Sequence, residues 1–501
     1  MDKGMETKFQ ICQPDQWQAD VIIALCCEDE NPATQYPELD KACPWLTVAP
    51  ALRDFSGKKG QSAFIYGHPD LHLPRALLVG LGKRSEAVMD DIRDGMGLAS
   101  QRCRDLGLTS ALIPVSMLSD LPGGKSRLVT ECVYSFWLGL YRFAEYKKPD
   151  SQPEPAWLAI GMTSHDELLE SAAKKGEMDA WAVYTARDLD NQPGNHLFPE
   201  TIALRAVDMA HKYGFECTVH DQSSLSSLGA GCLLAVGQGS SHPPRLVVME
   251  YKHPAHESDK PLVFVGKGIS FDSGGLCIKP PTNMWQMKCD MSGAGAVLAV
   301  MATAAREQVQ ARIIGILACA ENMPDGNAYR PGDILSALNG ESVEVINTDA
   351  EGRLALADAL SFAGKNFSPR YLIDIATLTG ACAVALGNGL AGLFCNKDEF
   401  AQRISAIGSA AGENFWRMPL WEPYKDSLKS EVADIKHTAS REGGAITAAL
   451  FLQNFIPQDT IWAHMDIAGV DWSSKSTHLC TEGATGFGTR TLLEIARGNL
   501  A

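Results

Sequence analysis

Short runs of consecutive apolar residues alternate along this chain with longer segments whose apolar positions recur every three or four residues. The runs at 21–27, 63–66, 76–81, 111–115 and 157–160 are strand-sized, while 90–106 and 129–146 carry the helical period between them. Strands alternating with helices predict an N-terminal α/β domain over residues 1–165. The polar, Pro-rich stretch 147–155 is a candidate boundary, but the run at 157–160 reads as one more strand of the same sheet, so the boundary falls after it. A long helical pattern predicts a linker helix over 166–190, and a second helix at 199–213 opens on Pro199, which suits a first turn.

From there strand follows strand, at 246–251, 262–265, 313–319, 371–375 and 462–467, with helices at 294–306, 353–363 and 445–455. Buried strands separated by helices predict a larger C-terminal domain, 191–501, built on a mixed, mostly parallel sheet with helices on both faces. No internal repeat or low-complexity tract interrupts the pattern.

Composition narrows the class of protein more than its function. With 501 residues, 45% of them hydrophobic, the chain can bury a core without disulfide staples. The 14 cysteines are scattered, with no C-x-x-C pair, and read as reduced core thiols of a cytoplasmic protein. No apolar run is long enough for a signal peptide or a transmembrane helix, so no membrane partner is expected. A net charge of −16 counts against a broad nucleic-acid surface, because like charges repel.

In open α/β sheets ligands collect beyond the carboxyl ends of strands, and three loops there are unusual. The first, 266–280, sets Lys267, Asp272 and Lys279 among four glycines, and its bland alternative is a Gly-rich turn with surface charges. It does not match a Walker A loop. The second, 287–293, places Asp290 before an Ala-rich helix that it could simply cap. The third, 343–360, ends a strand in Asp349, Glu351 and Arg353. If that segment is extended, alternate residues project the same way and two carboxylates meet a guanidinium. Like charges crowded in a buried place are costly unless a cation neutralises them. With Asp272 and Asp290 the carboxylates number four, which suits two divalent ions held by oxygen: Zn or Mn, with Mg also accommodated. No H-E-x-x-H competes, and His253 and His256 lie in a polar, solvated loop.

The octapeptide Asn347-Thr348-Asp349-Ala350-Glu351-Gly352-Arg353-Leu354 resembles the signature of the leucyl aminopeptidase (cytosol aminopeptidase) family. The loop 266–279, the stretch 287–293, Glu321-Asn322-Met323-Pro324 with 329–333, and Ala376-Thr377-Leu378-Thr379-Gly380 are similar to further blocks in the family's order, over about residues 185–497. The first 165 residues match only in length and α/β character. The resemblance implies a dinuclear metallo-aminopeptidase. Asp272 and Glu351 would bridge the two ions, Asp349 would complete the exchangeable site, and Lys267 with Asp290 the tighter one. Lys279 would stabilise the oxyanion, and Arg353 would hold a bicarbonate ion acting as general base. The α-amino group of a peptide substrate would bind one metal. Met287, Thr377, Leu378 and Gly380 would contact substrate, and an apolar first pocket would favour Leu-like or Met-like N-termini; without the resemblance these four read as core packing. A homohexamer, a dimer of trimers, is also implied.

Departures from the family pattern are few. Ser292 to Ala296 carries fewer alanines, a packing change, and Asp325-Gly326-Asn327 and Lys436-His437-Thr438 stand where the family also varies. Two other classes remain. A two-metal phosphoesterase would need phosphate-clamping arginines, and the three loops supply only Arg353. Some bacterial relatives of this family bind DNA, which here would need clustered Lys and Arg despite the net charge.

Overall fold

The computed structural model describes residues 5–28, 36–118, 121–148 and 153–500. The first four residues of the N-terminus and residues 149–152 of the Pro-rich stretch, both used in the reading above, lie outside them. Two compact units divide the chain: Met1–Tyr184 with Ser474–Glu482, and Thr185–Ser473 with Gly483–Ala501.

The first unit contains β1 (Thr7–Ile11), β2 (Val21–Cys26), β3 (Ser62–Tyr66), β4 (Arg75–Gly80), β5 (Ser110–Pro114) and β6 (Trp157–Met162), in the order β1-β6-β5-β2-β4-β3. Every pairing is parallel except β3 with β4. The central strands β2 and β5 are buried at every position, which is why they read as unbroken apolar runs. β1 escapes that signal because it is an edge strand, partnered among the described residues by β6 alone, and the KFQI of its sequence alternates polar and apolar. The predicted helix at 129–146 instead spans Lys125–Leu140: Tyr141 turns to φ −58°, ψ 130° and sets its ring edge-on to Tyr184 at 4.9 Å.

The second unit carries β7 (Glu216–His220), β8 (Arg245–Lys252), β9 (Leu262–Asp272), β10 (Arg312–Asn322), β11 (Ile334–Ser336), β12 (Ser342–Glu344), β13 (Tyr371–Ala376), β14 (Ala391–Cys395), β15 (Phe415–Arg417), β16 (Ile435–Lys436) and β17 (Ile461–Asp466). Eight of these form one mixed sheet, β15-β14-β17-β13-β9-β10-β8-β7, whose centre is parallel. A small sheet β11-β12-β16 stands apart from it.

Strand alternation decides what covers each face. Gly266 and Gly268 face the helix Ser292–Glu307, so closely that a Cβ on Gly266 would sit 2.5 Å from the Gly293 carbonyl oxygen. Val263, Val265 and Ile269 pack on the other side with Leu354, Ala355 and Ala359 of the helix Glu351–Phe367. Lys267 shares that second face by the same period of two.

Candidate metal centre

β9 runs seven residues further than its apolar core predicts, to Asp272. The Gly-rich segment from 266 is therefore strand before it is loop. Its first glycines admit the neighbouring helix, and only Gly274 and Gly275, at φ +87° and +63°, make the turn that returns toward Lys279. Lys267 and Asp272 thus both project from the central strand, with Asn322 beside Asp272 across a bulge in the β9–β10 register.

Asp349 and Glu351 are not presented by an extended segment. Asp349 sits in the turn before the helix and Glu351 is the first helical residue, so the helix start, not strand alternation, brings them to the site. Asp290 closes the turn 284–289 ahead of the helix Ser292–Glu307, and Thr377 follows the end of β13. A cavity of about 440 Å³ is lined by Lys267, Asp272, Lys279, Met287, Asp290, Asp349, Glu351, Thr377, Leu378 and Gly380. Arg353 does not line it: two residues into the helix, it is buried and gives its Nη1 proton to the carbonyl of His437 at 3.1 Å.

Two lysines knit the carboxylates together. Lys267 Nζ lies 2.8 Å from Asp290 Oδ1, 2.8 Å from Glu351 Oε1 and 2.8 Å from the Thr377 carbonyl oxygen. Lys279 Nζ lies 2.7 Å from Asp272 Oδ2 and 2.5 Å from Asp349 Oδ1. Burial opposes charge on Lys267, but Asp290, Glu351 and Asp272 outweigh it and hold its ammonium above the ordinary lysine range. Burial likewise opposes ionisation of Glu351, and the two lysines reverse it, bringing its carboxyl down to about 2. Asp272 goes the other way, up to about 6, through burial and the charge of Glu351.

Whether these residues suit a cation can be judged from what the lysines leave undone. Four carboxylates against two ammonium groups leave a formal charge of −2 in a site that is buried around Lys267, Asp272, Asp290 and Glu351 and open to solvent only at Lys279 and Asp349. Asp290 Oδ2 and Glu351 Oε2 are buried and have no hydrogen-bond donor among the described residues, an arrangement that costs about 1–3 kcal/mol per group. Ligand atoms of Asp272, Asp290 and Glu351 fall within 4.8 Å of one another, the spacing of a shared ion. The donor set fits divalent cations.

Residues outside the predicted set hold the site carboxylates and their turns in place. Asn322 Nδ2 donates to Asp272 Oδ1 at 2.8 Å and to the Thr348 carbonyl at 2.9 Å, and Tyr329 donates its hydroxyl to the same carbonyl at 2.8 Å. Thr377, from the predicted set, also donates its Oγ1 proton to Asp290 Oδ1 at 2.6 Å, so it orients a site carboxylate as well as lining the cavity. The Glu321-Asn322-Met323-Pro324 block already stood out in the sequence, but nothing local says that its asparagine crosses to a neighbouring strand.

The catalytic-domain pattern of the cytosol aminopeptidase family matches residues 184–493, and that family's N-terminal domain matches 24–150, so the likeness extends into the first unit. The chain is 54% identical over 500 residues, 99% of itself and 100% of the relative, to the "Probable cytosol aminopeptidase" of Desulfovibrio desulfuricans. It is 42% identical over 98% of both chains to the protein of that description from Nitratidesulfovibrio vulgaris. Among solved structures, the bottromycin maturation enzyme BotP in complex with Mn superposes with a TM-score of 0.85 at 33% identity, covering 96% of this chain and 100% of that one.

Proposed function

The chain belongs to the cytosol aminopeptidase family and is a metal-dependent aminopeptidase, and from that premise we propose that it removes Leu-like or Met-like residues from peptide N-termini at the cavity above. The observation that carries this reading is the meeting of Lys267, Asp272, Asp290, Asp349 and Glu351 at one cavity, with two buried carboxylate oxygens still lacking a donor. Asp272 and Glu351 would be shared by two cations, Asp290 and Lys267 would complete one site, Lys267 as the neutral amine once burial and a nearby dication have displaced the proton it holds against Asp290 and Glu351, and Asp349 would complete the other. Two divalent ions, Zn or Mn, supply when bound an acidified water and polarisation of the scissile carbonyl. Mn in the BotP complex favours an ion of that kind.

The chain's own residues supply the rest. Lys279, at 20% side-chain exposure against 3% for Lys267, is the cation open to the cavity and is placed to donate a hydrogen bond to a carbonyl oxygen gaining negative charge. Arg353 Nε is buried without an acceptor among the described residues, and bicarbonate held there would act as base only by reaching the cavity from behind its wall, since Arg353 does not line it. Met284, Met287 and Leu378 give the cavity an apolar wall, and each methylene buried there is worth about 0.8 kcal/mol. No arginine lines the cavity among the described residues, which weighs against a phosphate ester as substrate. A cytoplasmic homohexamer belongs to the same reading, and light scattering measures the assembly.

Release of leucine from Leu-p-nitroanilide, before and after chelation and again after Mn or Zn is returned, tests the proposal. Loss and recovery are expected, with Ala-p-nitroanilide turned over more slowly. Activity indifferent to chelator would refute it.

A further inference from the structure

His437 follows β16 directly and is completely buried. Its main chain already joins β12 to the helix Glu351–Phe367, because the N–H donates to the Glu344 carbonyl at 3.2 Å and the carbonyl accepts from Arg353. The ring adds a second pair of contacts. Nδ1 lies 3.2 Å from the N–H of Ile346, and Nε2 lies 2.8 Å from the carbonyl oxygen of Asn347.

Only one form of the ring satisfies both. A neutral imidazole protonated at Nε2 accepts from Ile346 with Nδ1 and donates to Asn347 with Nε2, whereas any form protonated at Nδ1 leaves the Ile346 N–H without an acceptor. The Glu344 carbonyl, 3.2 Å from Nδ1, has its donor in the His437 main chain. Burial, and then the charge of Arg353, hold the ring down at about 4, so the neutral form is the resident one.

The segment gripped by the ring is the one that delivers Asp349. Asn347 Oδ1 accepts the Asp349 N–H at 3.0 Å, and the Asn347 carbonyl accepts the Ala350 N–H at 3.1 Å as well as the imidazole proton. An apolar side chain at 437 would fill the space but hold neither Ile346 nor Asn347. Resting on the two-cation reading above, we propose that His437 is a positioning residue: its ring sets the Asn347–Ala350 turn so that Asp349 meets the cation it shares with Asp272 and Glu351, while its carbonyl orients Arg353.

The test is Mn²⁺ titration of the chelated full-length protein by calorimetry, beside melting temperature and Leu-p-nitroanilide turnover at limiting and excess Mn²⁺. Wild type is expected to bind two ions of separable affinity. H437A is expected to weaken the weaker ion about 10-fold, the usual effect of losing an outer hydrogen-bond partner, and to leave the tighter ion unchanged. Its turnover should fall at limiting Mn²⁺ and recover in excess. H437Q, whose longer amide can reach the Asn347 carbonyl, should restore most of the affinity, and H437N should not. If H437A does not fold, H437Q against H437N carries the comparison. Both ions unchanged in the variants, or both weakened equally alongside a fallen melting temperature, overturns the positioning role while leaving the two-ion reading intact. A wild type that binds fewer than two ions overturns that reading, and this inference with it.

Discussion

The carboxylate of Asp466 and the hydroxyl of Thr379 lie 2.6 Å apart, and the other oxygen of Asp466 accepts the N–H groups of Leu378, Thr379 and Ala468 at 3.2–3.3 Å. One buried side chain at the end of β17 therefore pins the 377–380 segment that walls the cavity. D466A leaves four donors without an acceptor and is expected to cost about 3 kcal/mol of stability. KM for Leu-p-nitroanilide should rise roughly 10-fold, with kcat changed less, since the affected segment lines the cavity and carries none of the proposed ligands. Thermal unfolding and steady-state kinetics check both, and D466N, which keeps one acceptor oxygen, should fall between.

Lys279 and Asp349, 2.5 Å apart, differ in what they should cost when removed. K279A is expected to keep both metal ions and to lose about 10²–10³ in kcat, the scale of one lost oxyanion donor. D349A is expected to lose one of the two ions at sub-saturating metal. Metal analysis of the purified variants beside wild type separates these outcomes.

Gly352 lies between Glu351 and Arg353 because Lys267 occupies the space its side chain would need. A Cβ there would stand 2.5 Å from Lys267 Cε and 2.6 Å from Nζ. Lys267 is itself packed between Asp290, Glu351 and the Thr377 carbonyl, so it cannot swing aside without giving up its partners. G352A should cost about 1–3 kcal/mol through overpacking and should lower metal affinity as well, measured by calorimetry on the chelated protein.

His437 also predicts a dependence on pH. Its ring titrates near 4 in the folded protein, against 6.5 for an ordinary histidine. Between those values the unfolded chain binds a proton that the native one refuses, so the stabilisation is complete above pH 6.5 and is lost as pH falls toward 4. At pH 5 the contribution should be about 2 kcal/mol smaller than at pH 7. The gap in melting temperature between wild type and H437Q, which has no titrating group there, should narrow accordingly, and an unchanged gap would show that the ring is not held neutral.

What the sequence disclosed depended on how local each signal was. β2 and β5 are apolar because both faces are covered, and they were legible at once; β1 pairs on one side only and was not. The carboxylates at 272, 290, 349 and 351 could be named from their loops, but the strand geometry assumed for Asp349 and Glu351 was wrong, because a helix begins at Glu351. Asn322 and His437 carried no role in the sequence, since each acts through a hydrogen bond to a residue 26 or more positions away. Contacts of that kind follow from the pairing of strands, which local pattern does not determine.

Because Lys267 and Asp272 belong to β9, which pairs with β10 as far as Asp272 and with β13 as far as Gly266, loosening at the sheet margins, at β7 or β15, should not reach them first. Their backbone is held from inside the sheet, away from its margins. Warming or dilute urea should therefore cost this protein its outer strands well before its capacity to gather ions, and loss of that capacity should coincide with cooperative melting of the sheet.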